Sequence, residues 1–273
     1  MHRTVLAASL AAAIASQADL ASAGTMLFGS DLGSGGDPSA LYGVDPTTGS
    51  ATRIGSIGFD FVDSLAFSPD GTLYGAGLAP GTNDNVLLTI DPVTGAGTQV
   101  TSLDRDVFSL SFIGDTLYGV NSQEDLATID ILTGSFTEIS FIGDGTLGLA
   151  SDSDGDLFAI QIDELFTVDP ATGATGPQTD LGDFNLRNAT FAPDDTLFAT
   201  DLGSRFISGD ESTLVTVDPA NGDVTVVGNL GADLAGLAAA PAGFGVVPLP
   251  MAGWLLLGGV GALAAVGRRR ESA

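Results

Sequence analysis

The sequence predicts an all-β fold, a five-bladed β-propeller whose ring is closed by pairing of its N- and C-terminal strands. Two observations predict it. Short motifs recur five times at intervals of about 40 to 50 residues, and the two ends of this array complement each other to make a whole number of units. We place the propeller at residues 24–246, between a signal peptide at 1–23 and a membrane tail at 247–273.

Three motifs define the repeat. The first reads Leu-x-x-hydrophobic-Asp, usually with Pro next and Gly four residues after the Asp; its aspartates are Asp45, Asp91, Asp130, Asp169 and Asp218. The second is a leucine followed by an aromatic residue: Leu27-Phe28, Leu73-Tyr74, Leu117-Tyr118, Leu157-Phe158 and Leu197-Phe198. The third, LAFSPDG in its clearest copy, starts at Leu65, Leu110, Leu149, Ala189 and Leu237.

Each unit reads as four short strands, A to D, as in residues 64–68, 72–76, 86–90 and 98–101. The A–B turn carries Pro-Asp-Gly and the C–D turn carries Asp-Pro-x-Thr-Gly. In both, Asp caps the backbone, Pro presets φ and Gly accepts a positive φ. We therefore expect the five repeated aspartates to be turn caps.

The ends of the array predict how the ring closes. The first unit begins at its B strand, and the last segment, 234–240, is an A strand with no blade after it. Joining them completes five blades and removes a free sheet edge. A β-solenoid or an open sandwich is the alternative fold, but the repeat is about twice the usual solenoid rung.

The phrase FSPDGTLYG…TIDPVTG resembles the repeats of NHL-, YVTN- and quinoprotein-like propellers. This resemblance implies the architecture alone, because one fold hosts many functions.

The N-terminal segment is typical of a secretory signal peptide. It has a basic residue, Arg3, an apolar run at 5–14 and the small residues Ala21-Ser22-Ala23 before Gly24. We expect signal peptidase to remove it during export. The alternative is a buried N-terminal helix, which would have no polar face.

The C-terminal segment predicts a transmembrane helix. An apolar stretch at 251–267 is just long enough to span a bilayer, and the basic cluster behind it indicates a cytoplasmic end. The flanking motif residues are Val247, Pro248, Leu249, Pro250, Arg268, Arg269 and Arg270.

This arrangement resembles the VPLPA variant of the PEP-CTERM sorting tail, with Met251 where that variant usually has alanine. The resemblance implies cleavage near the proline motif by an exosortase-type protease. The protein would be anchored transiently in the inner membrane and then released to the cell surface or extracellular space. The alternative is a permanent anchor, and both place the propeller outside the cytoplasm.

The charge and composition exclude several classes of function. The chain has 34 acidic residues and 8 basic ones, no cysteine, and one histidine, His2, inside the predicted leader; all eight basic residues are arginines. Catalysis by a Ser-His or Cys-His pair, a lysine Schiff base and a thiolate metal site are therefore excluded. A nucleic-acid partner is excluded as well, because duplex binding needs clustered basic residues.

A binding site is expected on the face that carries the B–C and D–A loops, which we call the mouth face. The B–C loops are short at 121–125 and 161–164 but long at 201–213, 31–40 and 76–85, and these three long loops lie on adjacent blades. Loops on a rigid scaffold are where binding residues concentrate.

Each D–A loop places an acid near the channel: Asp60, Asp106, Asp144, Asp183 and Asp233. Such a ring favours a hard, oxygen-seeking cation such as Ca²⁺, although the sequence requires no cofactor. The alternative is that these acids cap loops or face water. Arg105 and Arg187 lie in the same loops and either bind a ligand or pair with the acids.

A second acidic run, from Asp152 to Asp156, is similar to a calcium-binding loop, but its glycine stands in the wrong register and strands flank it. We interpret it as the A–B turn of the fourth blade.

Two classes of function remain. The first is a non-enzymatic extracellular binding or matrix protein that acts through divalent cations or polysaccharide. The second is a glycoside hydrolase that uses paired carboxylates. The predicted propeller lacks tryptophan as a sugar platform, since Trp254 lies in the tail, and this favours the first class.

Overall fold

A computed structural model describes residues 25–33, 36–202 and 212–245. Within these ranges the chain is all-β and forms five four-stranded antiparallel sheets arranged as a propeller. No helix there is long and apolar enough to cross a membrane. The predicted signal peptide and sorting tail lie outside the described residues.

The predicted ring closure is confirmed. Blade one has the order β20-β1-β2-β3, so the last described strand pairs with the first. The register runs from Leu27 opposite Ala239 to Ser30 opposite Gly236. One sheet therefore joins the two ends of the described chain.

The blades are built as follows, each from inner strand A to outer strand D. Blade one contains β20 (Gly236–Ala239), β1 (Leu27–Ser30), β2 (Ala40–Val44) and β3 (Ala51–Ser56). Blade two contains β4 (Asp60–Phe67), β5 (Leu73–Leu78), β6 (Asn85–Ile90) and β7 (Gly97–Ser102). Blade three contains β8 (Ser109–Ile113), β9 (Thr116–Val120), β10 (Asp125–Ile129) and β11 (Phe136–Phe141).

Blade four contains β12 (Thr146–Ser151), β13 (Leu157–Gln161), β14 (Glu164–Val168) and β15 (Thr179–Asp180). Blade five contains β16 (Leu186–Phe191), β17 (Leu197–Asp201), β18 (Thr213–Val217) and β19 (Val224–Asn229). Strand β15 is short because Pro177, which has no N–H to donate, interrupts the outer strand.

The core lies between neighbouring blades and is formed by the repeated leucines. The leucine that opens the first motif is at most 1 % exposed in every blade: Leu41, Leu87, Leu126, Leu165 and Leu214. The leucine of the second motif is equally buried: Leu27, Leu73, Leu117, Leu157 and Leu197. The periodic apolar positions of the sequence are therefore the positions that pack adjacent sheets together.

The repeated aspartates are turn caps, as predicted. In blade three, Asp130 Oδ1 accepts hydrogen bonds from the N–H groups of Leu132 and Thr133, both at 2.9 Å. The other four aspartates cap their turns in the same way. Asp152 likewise caps the A–B turn of blade four, which confirms that interpretation of the acidic run.

The glycine that closes each C–D turn has a second role at the blade interface. It has a positive φ and packs against the end of the preceding blade's outer strand. A Cβ added at Gly134 would lie 1.8 Å from the Ser102 carbonyl oxygen. Corresponding close contacts join Gly49 to Gly228, Gly95 to Gly55, Gly173 to Ser140 and Gly222 to Asp180. These five glycine latches run around the whole ring, including its point of closure.

Candidate functional site

The predicted acids are spread over the mouth face. Asp106, Asp144, Asp183 and Asp233 lie in loops between outer and inner strands, whereas Asp60 is the first residue of β4, which begins earlier than predicted. In the ranges that the structure describes, no three acidic or histidine side chains form a group that could hold a metal ion. The five acids therefore do not converge on one point, and the Ca²⁺ site stays a prediction.

Several predicted site residues have partners within the protein. Asp106 and Asp233 each accept a hydrogen bond from a serine of the adjacent B–C loop, Ser122 and Ser212, both at 2.9 Å. Arg105 forms an ion pair with Glu138 at 2.6 Å and donates to Gln123 at 3.1 Å, and both partners belong to blade three. The Arg105 guanidinium is thus held by Glu138 and Gln123, neither of which is one of the five predicted acids, so its role at the mouth stays a prediction.

An irregularity in β4 shapes the mouth next to Asp106. Asp60 pairs with Leu78, but the next paired residue of β4 is Ser64, opposite Ala76. Two extra residues therefore bulge out of the inner strand. Phe61, inside this bulge, has a φ of +51° and is 56 % exposed. A bulky residue in the left-handed region carries strain, and such strain clusters at functional sites.

The same bulge places Asp63 in a desolvated position. Burial raises the pKa of Asp63 to about 7, the positive charge of Arg187 opposes that increase, and the negative charge of Asp106 adds to it. The carboxyl group therefore takes up its proton close to neutral pH rather than in the usual acidic range. A carboxylic acid that is neutral at that pH can donate a hydrogen bond or transfer a proton.

The bulge and the two carboxyl groups of Asp63 and Asp106 border a cleft of about 370 Å³ at the junction of blades two and three. Phe61, Asp63, Asn85, Asp106 and Phe108 all line it. The cleft thus combines aromatic rings with two carboxyl groups and an amide, and its volume lies within the usual range of small-ligand sites.

Asn188 links the inner strands of the blades and contacts the backbone of Asp63. Its Nδ2 donates to the carbonyl oxygen of Asp63 at 2.8 Å and also to that of Ala235. Its Oδ1 accepts from Ser109 Oγ at 3.4 Å, and that hydroxyl accepts from the N–H of Leu149 at 2.8 Å. These five residues belong to five different blades or to the loops leading into them. The Asn188 cluster therefore ties the inner strands together and fixes the carbonyl of Asp63.

Sequence reasoning identified Arg187 and Asp106 but missed Phe61, Asp63 and Asn188. A comparison of repeat positions would have found Asp63. The residue two before the start of the third motif is Asp63 in blade two, Phe108, Leu147 and Arg187 in the next three blades, and Ala235 in blade one. The residue type at this position changes in every blade, from acidic to aromatic, aliphatic, basic and small. Such departures from a repeat mark functional sites.

Comparison with known proteins supports the fold. A chain of the nidogen/laminin complex is similar with a TM-score of 0.55 and 13% identity, over 80% of this chain and 99% of that chain. TolB from Acinetobacter baumannii has a TM-score of 0.49 at 17% identity, over 74% of this chain and 52% of that one. The PQQ-bound aldose sugar dehydrogenase from Streptomyces coelicolor has a TM-score of 0.43 at 15% identity, over 68% and 74%.

No model of a known protein family matches the chain, and no curated protein matches it. At these identities the likeness is one of fold alone. The β-propeller architecture implied by the resemblance to NHL-, YVTN- and quinoprotein-like repeats is confirmed, whereas the sorting tail stays a prediction.

Proposed function

We propose that this protein is exported, sorted to the cell surface, and acts there as a non-enzymatic binding protein whose mouth cleft takes a polysaccharide. The observation that carries the proposal is the exposed ring of Phe61, attached to a strained backbone, which lines the same cleft as the carboxyl groups of Asp63 and Asp106. An aromatic face offers contact area to the apolar side of a sugar ring, and carboxyl groups pair with its hydroxyls.

Phe61 supports this role because its side chain does not serve the core, whereas the next residue of the bulge, Val62, is fully buried between the blades. Phe61 packs in none of the buried clusters between the blades. Its backbone conformation is one that costs roughly 1–2 kcal/mol for a residue other than glycine. An exposed ring held at that cost is accounted for by a ligand that contacts it.

The test is binding of the full chain, in mild detergent, to a panel of neutral and acidic polysaccharides with and without Ca²⁺. The Phe61→Gly variant removes the ring and also the strain. We expect its affinity to fall about tenfold or more, equal to about 1.4 kcal/mol. Phe141→Ala is the matched control, because Phe141 is also about half exposed but lies at the outer edge of blade three. If Phe61→Gly and Phe141→Ala bind the polysaccharide equally well, the cleft is excluded as the binding site.

A carboxylate-based glycoside hydrolase is the second candidate, and the elevated pKa of Asp63 favours it. Asp63 would serve as the general acid and Asp106 as the second carboxyl group of the pair. Release of reducing ends from a bound polysaccharide, abolished in both Asp63→Asn and Asp106→Asn, would support hydrolysis. Binding without any product release would support the non-enzymatic function.

A further inference from the structure

Both ends of the described chain leave the propeller on the same side. Thr25 and Met26 precede β1 at the place where the other blades have an A–B turn. After β20, Phe244 packs its ring against Phe28 and Phe67, with ring centroids 6.1 and 5.1 Å apart. We call the side that carries the A–B and C–D turns the turn face; it lies opposite the mouth.

The contact made by Phe244 fixes where the chain departs. A Cβ placed on Gly71, in the A–B turn of blade two, would lie 3.5 Å from the Phe244 ring. The next described residue, Gly245, is the last. The apolar stretch of the sequence begins six residues later at Met251. Six fully extended residues reach at most about 20 Å.

The same part of the turn face carries an apolar concavity. A pocket of about 500 Å³ opens between blades one and two; its lining is mostly apolar, with Met26, Phe28, Ile54 and Val93, and also includes Asp45 and Arg53. Val93, at the tip of the C–D turn of blade two, is 57 % exposed. On the corresponding turn of blade three Leu132 is 86 % exposed.

We infer that the turn face around blades one to three rests against the lipid bilayer while the tail is inserted, and that the mouth cleft is thereby presented away from the membrane. This inference rests on the membrane segment included in the proposed function. The small number of residues between Gly245 and Met251 in the sequence and the apolar pocket beside the exit point carry it. A zwitterionic bilayer surface is the partner that both fit.

The acidic turn caps add a second, independent expectation. Hydrogen bonds to the carboxylates of Asp45, Asp70 and Asp130 hold their pKa values below the usual range, so these groups remain charged. They lie on the turn face and repel an anionic lipid surface. Contact should therefore be closest on phosphatidylcholine, should weaken when phosphatidylglycerol is added, and should recover in high salt.

The chain has no cysteine, so single introduced cysteines report position without background. We would attach a fluorophore at Val93→Cys or Leu132→Cys on the turn face, and at Asn83→Cys as the control. Asn83 is exposed in the B–C loop of the same blade as Val93, but on the mouth side. The full chain is then inserted in phosphatidylcholine vesicles that contain a lipid with a nitroxide on its headgroup.

Quenching should be several-fold stronger at the two turn-face positions than at Asn83→Cys. Equal quenching at all three, stronger quenching at the control, or no association with the vesicles would overturn the inference. The same labelled variants are tested for polysaccharide binding in detergent. If polysaccharide binding is absent but quenching is stronger on the turn face, only the proposed binding function of the mouth cleft is refuted. If polysaccharide binding is present but quenching is equal at all three positions, only the proposed orientation on the membrane is refuted.

Discussion

Replacing Asp63 by asparagine should change the pH dependence of stability in a defined way. In the folded protein, burial raises the pKa of Asp63 from 3.8 to about 7. The folded state therefore holds the proton more tightly than the unfolded state. Between these two values the free energy of unfolding falls as pH rises, by about 1.4 kcal/mol per pH unit, and the total loss is on the order of 4 kcal/mol.

The Asp63→Asn variant keeps the size of the side chain but has no proton to lose. Its stability relative to wild type should grow from about pH 4 upward and level off above about pH 7. The charges near Asp63 predict how the upper end of this pH range moves. Arg187→Gln removes the opposing positive charge and should shift the upper end to higher pH, whereas Asp106→Asn should shift it to lower pH.

The measurement is urea unfolding at half-unit steps of pH, followed by tyrosine fluorescence and circular dichroism. The difference between wild type and variant isolates Asp63 from the other acids, which titrate in both proteins. Parallel curves for wild type and Asp63→Asn across this window would refute the assignment of an elevated pKa to this carboxyl. If Arg187→Gln leaves the pH range of this stability difference unchanged, the proposed electrostatic coupling between Arg187 and Asp63 is refuted.

Three further substitutions test other features. Phe61→Gly should raise the free energy of unfolding by about 1 kcal/mol, because glycine accepts the positive φ, while polysaccharide affinity falls about tenfold or more; a loss of stability in thermal melts would contradict the strain argument. Gly134→Ala should destabilise the protein by about 3 kcal/mol or more. The control Gly58→Ala, at a glycine that also has a positive φ but has open space around it, should cost only about 1 kcal/mol. Equal losses of stability in urea unfolding would rule out the latch. Asn188→Ala leaves buried carbonyl groups without a donor and should cost about 2–4 kcal/mol, and an unchanged melting temperature would show that the Asn188 cluster is dispensable.

The blades could be predicted from the sequence because their signals are local and repeated. Asp130 and Gly134, for example, encode the same turn as their counterparts in the other four blades, since the chemistry of a turn resides in a few adjacent residues. Ring closure followed from the phase of the motifs alone. The partners in the closing pair, such as Leu27 and Ala239, are far apart in the sequence but belong to the same repeat.

The cleft could be predicted only in part because it depends on departures from the repeat. The bulge at Phe61 has no residue type that announces it, since glycine or asparagine would be expected at a positive φ. The acids of the D–A loops stand four to six residues before the third motif rather than at one fixed spacing, and the described residues contain no group of three that could share a metal ion. Arg105 lies at the predicted position, yet its side chain pairs with Glu138 on the outer strand of blade three, a contact that spacing does not encode.

The closing strand β20 also sets an order on the assembly of the protein. It is the last described strand to be synthesised. Three features require the segment around it: the complete sheet of blade one, the hydrogen bond from Asn188 to Ala235, and the contact of Phe244 with Phe28. A chain that emerges from its N-terminus can fold blades two to five from local pairings, but blade one lacks its inner strand until residues 236–239 arrive. The mouth face is therefore completed only when almost the whole propeller has been synthesised, so a prematurely terminated chain would lack both a sealed ring and a complete mouth face.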